Sequence, residues 1–71
     1  SMSTKINIGR GIPIAQVKYD MNGADLAVKM NVSRQQIARW RKAEDMKFSR
    51  VELFAEAFGI SVIELLSLDY D

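Results

Sequence analysis

The chain contains neither cysteine nor histidine. Without thiols or imidazoles it lacks disulfide cross-links, the usual ligands of a zinc ion, and the commonest catalytic bases and nucleophiles. It also has no glycine-rich phosphate loop, and no apolar run approaches the roughly 20 residues that a membrane helix needs. We therefore expect a non-enzymatic cytoplasmic protein without a metal, a cofactor, a small-molecule substrate or a membrane contact.

Charge is nearly balanced overall but unevenly distributed. The 71 residues include 10 basic and 9 acidic side chains, for a net charge of +1. Residues 29–50 contain seven basic and two acidic residues, whereas residues 51–71 contain five acidic residues and no basic one. The length predicts one small domain. The segregation of charge fits a domain with one phosphate-facing side, although chance clustering of solvated charges gives the same pattern.

One local pattern recurs four times and predicts where helices begin. An apolar residue precedes a helix-capping residue, an acid or amide follows three places later, and another apolar residue comes next, as in a capping box with a hydrophobic staple. The only proline, Pro13, predicts a fifth helix start, because proline favours the first turn. The four pairs of cap and partner are Asn22 with Asp25, Ser33 with Gln36, Ser49 with Glu52, and Ser61 with Glu64.

These signals predict an all-α fold of five short helices. Residues 1–12 are expected to form an N-terminal arm, either a short strand around Ile6 to Ile8 or a disordered segment. The helical domain is expected over residues 13–67 and a tail over residues 68–71, and Gly59 is expected to end the fourth helix in a left-handed conformation. The predicted helices are Pro13–Met21, Gly23–Met30, Arg34–Ala43, Arg50–Phe58 and Val62–Ser67.

Residues 22–41 carry the most informative motif, two short helices joined by a tight turn. Ala27 supplies the small side chain that two crossing helices need where they touch. Trp40 shares a face with Ile37, so we expect it in the core rather than stacked on a base. The predicted core comprises Ile14, Val17, Met21, Leu26, Ala27, Met30, Val32, Ile37, Trp40, Val51, Phe54, Ala57, Phe58, Ile60, Ile63 and Leu66.

The stretch from Met21 to Leu66 resembles the helix-turn-helix domain of the phage lambda repressor and Cro superfamily. The resemblance implies a compact five-helix, lambda-repressor-like DNA-binding domain, similar to that of short Cro-like repressors. The positions that carry it are Leu26-Ala27, Val32-Ser33, Ile37, Trp40, Phe48-Ser49, Leu53-Phe54, residues 57–61 and Leu65-Leu66.

The sequence departs from the family pattern at four places. Asn31 holds a turn position where glycine is usual, and asparagine tolerates the left-handed conformation next best. Gly23 stands where many relatives have a glutamine that touches phosphate, and Arg41 stands where they have an acid. Residues 43–47 replace a Gly-x-x-x-Pro run, which predicts a longer or partly helical loop before the fourth helix.

The resemblance implies a transcriptional regulator, a Cro-like phage or prophage repressor in a bacterial host cell, bound to double-stranded operator DNA as a homodimer. The side chains after the Ser33 cap suit base edges in a major groove. Gln36 has the alternative role of completing the capping box. The expected base-reading residues are Arg34, Gln35, Gln36 and Arg39, and the expected DNA-backbone contacts are Lys29, Ser33, Arg41 and Lys42.

Two further points stay open in the sequence. A palindromic operator needs a two-fold protein, and the last helix with its tail has more apolar side chains than one core can take. We expect Leu65, Leu68 and Tyr70 to form the self-contact, with the arm as the alternative.

The acidic segment 51–71 also fits a protein-interaction module on the same fold, such as an antirepressor or antitoxin-like partner.

Overall fold

The computed structural model describes residues 5–70, and these residues form five α-helices and no strand. The all-α, five-helix prediction is confirmed. None of the helices in the described part of the chain has the length and apolarity that crossing a lipid bilayer requires. The helices are α1 (Ile8–Lys18), α2 (Gly23–Met30), α3 (Arg34–Arg41), α4 (Phe48–Phe58) and α5 (Val62–Ser67).

Local capping signals predict the first residues of α2, α3 and α5 correctly. α2 and α5 have the predicted bounds, whereas α3 ends at Arg41 instead of Ala43, so that irregular chain rather than helix leads to α4. Asn31 and Gly59 take the predicted left-handed conformation, with φ of 56° and 73°. Three capping boxes are formed, those of Asn22 with Asp25, Ser33 with Gln36, and Ser61 with Glu64.

The fourth predicted capping box is wrong. α4 begins at Phe48, and its N-cap Lys47 makes no side-chain hydrogen bond. Ser49 is already inside the first turn, so its hydroxyl does not cap the helix or pair with Glu52. Phe48 is 62% exposed and therefore makes no hydrophobic staple.

The first helix begins earlier than predicted. Asn7 is the N-cap of α1 and accepts a hydrogen bond from the backbone N–H of Arg10 at 3.0 Å. The helix then runs from Ile8 to Lys18 with Pro13 in its interior. The predictions that Pro13 opens the helix and that Met21 ends it are therefore wrong.

Tertiary contacts explain why α1 starts where it does. The backbone N–H groups of Ile8 and Gly9 donate to the carbonyl oxygens of Glu44 and Ala43, just beyond α3. These bonds satisfy two of the amide groups that a helix start otherwise leaves without partners. Residues 8–12, expected in an extended or disordered arm, are therefore helical, and residues 1–4 of that arm lie outside the described residues.

The earlier start also changes which face of α1 is buried. Ile12 and Ala15 are fully buried, whereas Ile14 and Val17, predicted in the core, are 37% and 85% exposed. Ile63, at 80% exposed, is the third wrong assignment. The other predicted core residues are buried or packed against the core, namely Met21, Leu26, Ala27, Met30, Val32, Ile37, Trp40, Val51, Phe54, Ala57, Phe58, Ile60 and Leu66.

The residues after α5 lie beside the segment before α1. Leu65 lies in the core with 2% of its surface exposed. The prediction that Leu65 offers a surface for self-contact is therefore wrong. Leu68 is half-buried against the core and Tyr70 is 50% exposed. Asp69 accepts a hydrogen bond from the backbone N–H of Asn7 at 3.3 Å, so the C-terminal tail lies beside the segment before α1.

Candidate nucleic-acid interface

The turn between α2 and α3 is held by backbone and side-chain hydrogen bonds. The backbone N–H of Val32 donates to the carbonyl of Ala27 at 3.0 Å, which closes the left-handed turn at Asn31. Ser33 then caps α3 by accepting from the backbone N–H of Gln36 at 3.1 Å. α2 packs against α3, and Ala27, the small residue that such a crossing needs, is 6% exposed.

One side of α3 anchors the helix to the core. Ile37 is 2% exposed. Trp40 packs against the core with its ring edge-on to Phe54, the ring centroids being 5.8 Å apart. The prediction that Trp40 is a core residue is confirmed. The guanidinium of Arg50, on α4, lies 4.5 Å from the centroid of the same indole ring.

The opposite side of α3 is exposed and contains no acidic residue. A helix of 3.6 residues per turn brings the side chains at positions 34, 35, 38, 39 and 42 onto one broad face. Arg39 and Arg41 lie in the last turn, where their charge complements the helix dipole. The exposed residues of this face are Arg34, Gln35, Ala38, Arg39 and Lys42.

Gln36 has a structural role in the capping box. Its side-chain carbonyl oxygen accepts hydrogen bonds from the backbone N–H of Ser33 at 3.0 Å and from the Ser33 hydroxyl at 3.3 Å. Pairing with adenine uses both the carbonyl and the amide of a glutamine. Gln36 would therefore have to leave the cap before it could read adenine in this way, whereas Gln35 is exposed.

Arg41 lies at the edge of the exposed face, beside the start of α2. A shallow depression there is lined by both helices. Arg41 also borders a second depression, which reaches Pro13 and Val17 on α1. Arg41 and Gly23, which both depart from the family pattern, line the first depression together. Its lining residues are Gly23, Arg34, Gln35, Ile37, Ala38 and Arg41.

The remaining predicted contact residues lie around α3. Lys29 is exposed in the last turn of α2. Lys42 is exposed as the C-cap residue of α3. The Ser33 hydroxyl is exposed and engaged in the cap. These side chains and the exposed face of α3 belong to the same helix-turn-helix unit.

Two further residues, Ala38 on α3 and Arg50 on α4, have no signal in the sequence that points to a site. Ala38 is exposed in the middle of α3, and an alanine gives no sequence signal that separates a binding role from helix propensity. Arg50 is the last residue of the basic segment 29–50. Its contact with Trp40 joins residues that lie ten positions apart in different helices, so no local pattern indicates it.

The comparisons with known proteins agree with this geometry. The family model of the Cro/C1-type helix-turn-helix DNA-binding domain matches residues 17–71. Searches among curated proteins and among solved structures gave no match. The matched range contains α2, the turn, α3, α4 and α5, together with the last two residues of α1.

Proposed function

The chain belongs to the Cro/C1-type helix-turn-helix DNA-binding family, and we propose that it is a Cro-like phage or prophage repressor that binds operator DNA sequence-specifically. The observation that carries the proposal is the exposed, acid-free face of α3. Its guanidinium and amide groups project from a helix that the core, the Ser33 cap and α1 hold in place. A rigid helix of this kind suits insertion into a major groove.

The base-reading residues in this proposal are Arg34, Gln35 and Arg39. An arginine pairs in a bidentate manner with guanine, and a glutamine does so with adenine. All three side chains are exposed. Gln36 is left out because its carbonyl oxygen completes the cap of α3.

Phosphate contacts are proposed beside α3 and in the first turn of α4. On one edge of α3 Arg41 lies beside Gly23, so its cation can supply a phosphate contact where relatives have glutamine at the Gly23 position. On α4 the Trp40 ring holds the guanidinium of Arg50 in place. Stacking on an aromatic ring reduces the freedom that a guanidinium loses on binding. Lys42, Lys29 and the start of α3 at Ser33 complete the proposed set.

We propose further that the protein acts as a homodimer, since a palindromic operator requires two-fold symmetry. The hydrogen bond from Asn7 to Asp69 brings the two candidate surfaces of the sequence analysis together. Ile6, at 39% exposed, precedes this bond in the chain, and Tyr70, at 50% exposed, follows it. The proposed self-contact is therefore the surface of Ile6, Leu68 and Tyr70.

Selection of bound sequences from a random duplex library tests the function. The protein is expected to enrich one motif, and the dimer is expected to enrich two inverted copies about one helical turn apart, near 34 Å. A parallel selection with Arg34→Ala and Gln35→Ala combined should lose the motif while retaining weak binding to all duplexes. Recovery of an unenriched library by the parent protein would exclude sequence-specific binding.

A protein partner is the second candidate, and one observation favours it. The outer face of α4 has exposed Phe48 and Leu53 on either side of exposed Glu52 and Glu56. This mixed acidic and apolar surface suits a protein better than a polyanion. If the selection enriches no motif, this candidate replaces the repressor.

A further inference from the structure

A small side chain occupies the centre of the exposed face of α3. Ala38 is exposed and lines the depression shared with Arg34, Gln35 and Arg41. Arg34 and Lys42 stand one helical turn before and after it. The Ala38 side chain therefore ends in a single methyl group between two longer basic side chains.

An exposed methyl group at this position suits one feature of the DNA major groove. A carbon atom makes no hydrogen bond, and the apolar feature of the major groove is the C5-methyl group of a pyrimidine. We propose that Ala38 reads such a C5-methyl group, carried by thymine or by 5-methylcytosine. The inference rests on the proposed function, because it requires α3 to enter a major groove.

The helix geometry also limits where that methyl group lies. Arg34 and Gln35 precede Ala38 by about 6 and 4.5 Å along the helix axis, at 1.5 Å per residue. Successive bases are about 3.4 Å apart along one strand. The methylated pyrimidine therefore lies within about two base pairs of the bases that Arg34 and Gln35 contact.

Base analogues in the selected duplex test the inference directly. Each thymine is replaced in turn by uracil, which lacks only the C5-methyl group, and each cytosine by 5-methylcytosine. If the methyl belongs to thymine, one uracil substitution within this distance weakens binding about fourfold, the value of one buried methyl group. If the pyrimidine is cytosine, its methylation strengthens binding by about the same factor.

Two protein variants separate a methyl contact from a general loss of helix stability. Ala38→Gly removes the contacting methyl, so the methylated and unmethylated duplexes should bind equally. Ala24→Gly removes the same group from an exposed site on α2, and the fourfold difference should remain. Because Ala38→Gly also lowers helix propensity by about 1 kcal/mol, each variant is judged by the ratio of its own affinities for the two duplexes.

Two different failures can be told apart. If no base analogue changes the affinity for the motif, the role of Ala38 is overturned and sequence-specific binding remains. The same holds if the Ala38→Gly variant keeps the fourfold difference. A parent protein that enriches no motif overturns the proposed function and this inference together.

Discussion

The backbone N–H of Gly9 donates a hydrogen bond to the carbonyl oxygen of Ala43 at 2.9 Å. The first turn of α1 thereby meets the chain where α3 has just ended. A Cβ atom at position 9 would lie 2.9 Å from the carbonyl oxygen of Arg41 and closer still to those of Trp40 and Ala43. Glycine is therefore required for this approach, which helps to hold α3 in place.

Replacing Gly9 with alanine should destabilise the protein strongly. The added methyl would collide with backbone carbonyls, which cannot rotate away as a flexible side chain can. We expect the free energy of unfolding to fall by about 2 kcal/mol or more, measured by urea denaturation followed by circular dichroism.

Gly23→Ala is the matched control for this change. Its Cβ would meet no atom within 4 Å, and alanine favours a helix over glycine by up to about 1 kcal/mol. Gly23→Ala should therefore be as stable as the parent or slightly more stable. Equal urea midpoints for the two variants would contradict the role assigned to Gly9.

A second pair of variants tests which serine caps a helix. Ser61→Ala removes the hydroxyl that accepts from the backbone N–H of Glu64 at 3.0 Å. It should reduce the free energy of unfolding by about 1 kcal/mol. Ser49→Ala, inside the first turn of α4, should change it by less than about 0.5 kcal/mol. A larger loss for Ser49→Ala would show that Ser49 caps a helix, as the sequence predicts.

These two pairs mark the boundary between what the sequence predicts and what it does not. Helix starts at Asn22, Ser33 and Ser61 are predictable because a cap and its partner lie three residues apart. The start of α1 is not, since the amide groups of its first turn bond to residues more than thirty positions away. Pro13, read as a first-turn residue, is therefore misleading once these tertiary bonds decide where the helix begins.

The candidate site likewise has a part that the sequence predicts and a part that depends on helix packing. The exposed positions of Arg34, Gln35 and Arg39 follow from the Ser33 cap and the helical period alone. The neighbourhood of Gly23 and Arg41 and the contact of Arg50 with Trp40 depend on how helices pack. The burial of Leu65 likewise depends on α1, whose early start brings Gly11 against the backbone of α5.

A third prediction concerns sequence readout. Arg34→Ala and Gln35→Ala should each weaken binding to the selected operator by about 1–3 kcal/mol and relax the preference at one base pair. The measurement is a fluorescence-anisotropy titration with the operator and its single-base-pair variants. Glu56→Ala, on the outer face of α4, should leave both affinity and preference unchanged. An unaltered preference profile in both α3 variants would rule out their base contacts.

A fourth prediction concerns phosphate contacts. Removing the charge of Lys29, Arg41, Lys42 or Arg50 should weaken binding to operator and non-operator DNA alike. Each loss of a phosphate contact should reduce the slope of log affinity against log salt by about one. Removing the charge of Arg39, a proposed base contact, should instead lower the operator affinity more than the non-operator affinity.

Lys18→Ala is the control for the salt dependence. Lys18 lies on α1 with its amino group 5.6 Å from the centroid of the Tyr19 ring, outside the helix-turn-helix unit. Its removal also lowers the net charge by one, so a general electrostatic effect would appear here as well. A slope that changes as much for Lys18→Ala as for the other four would show that no specific phosphate contact has been lost.

The fifth prediction concerns the dimer. Tyr70→Asp introduces a charge into the proposed self-contact without disturbing the core, because half of the Tyr70 surface is exposed. The isologous contact would bring two such charges together across the two-fold axis. We expect self-association to weaken at least tenfold, measured by sedimentation with and without operator DNA. Affinity for a single half-site should change little.

Ile63→Asp is the matched control, since Ile63 is exposed on the outer face of α5 at 80%. It introduces the same charge into another exposed apolar site and should leave association unchanged. The reverse result, a dimeric Tyr70→Asp and a monomeric Ile63→Asp, would move the contact from the tail to the outer face of α5. Leu65→Asp should instead unfold the protein, because a charge at a site only 2% exposed has no solvent to stabilise it.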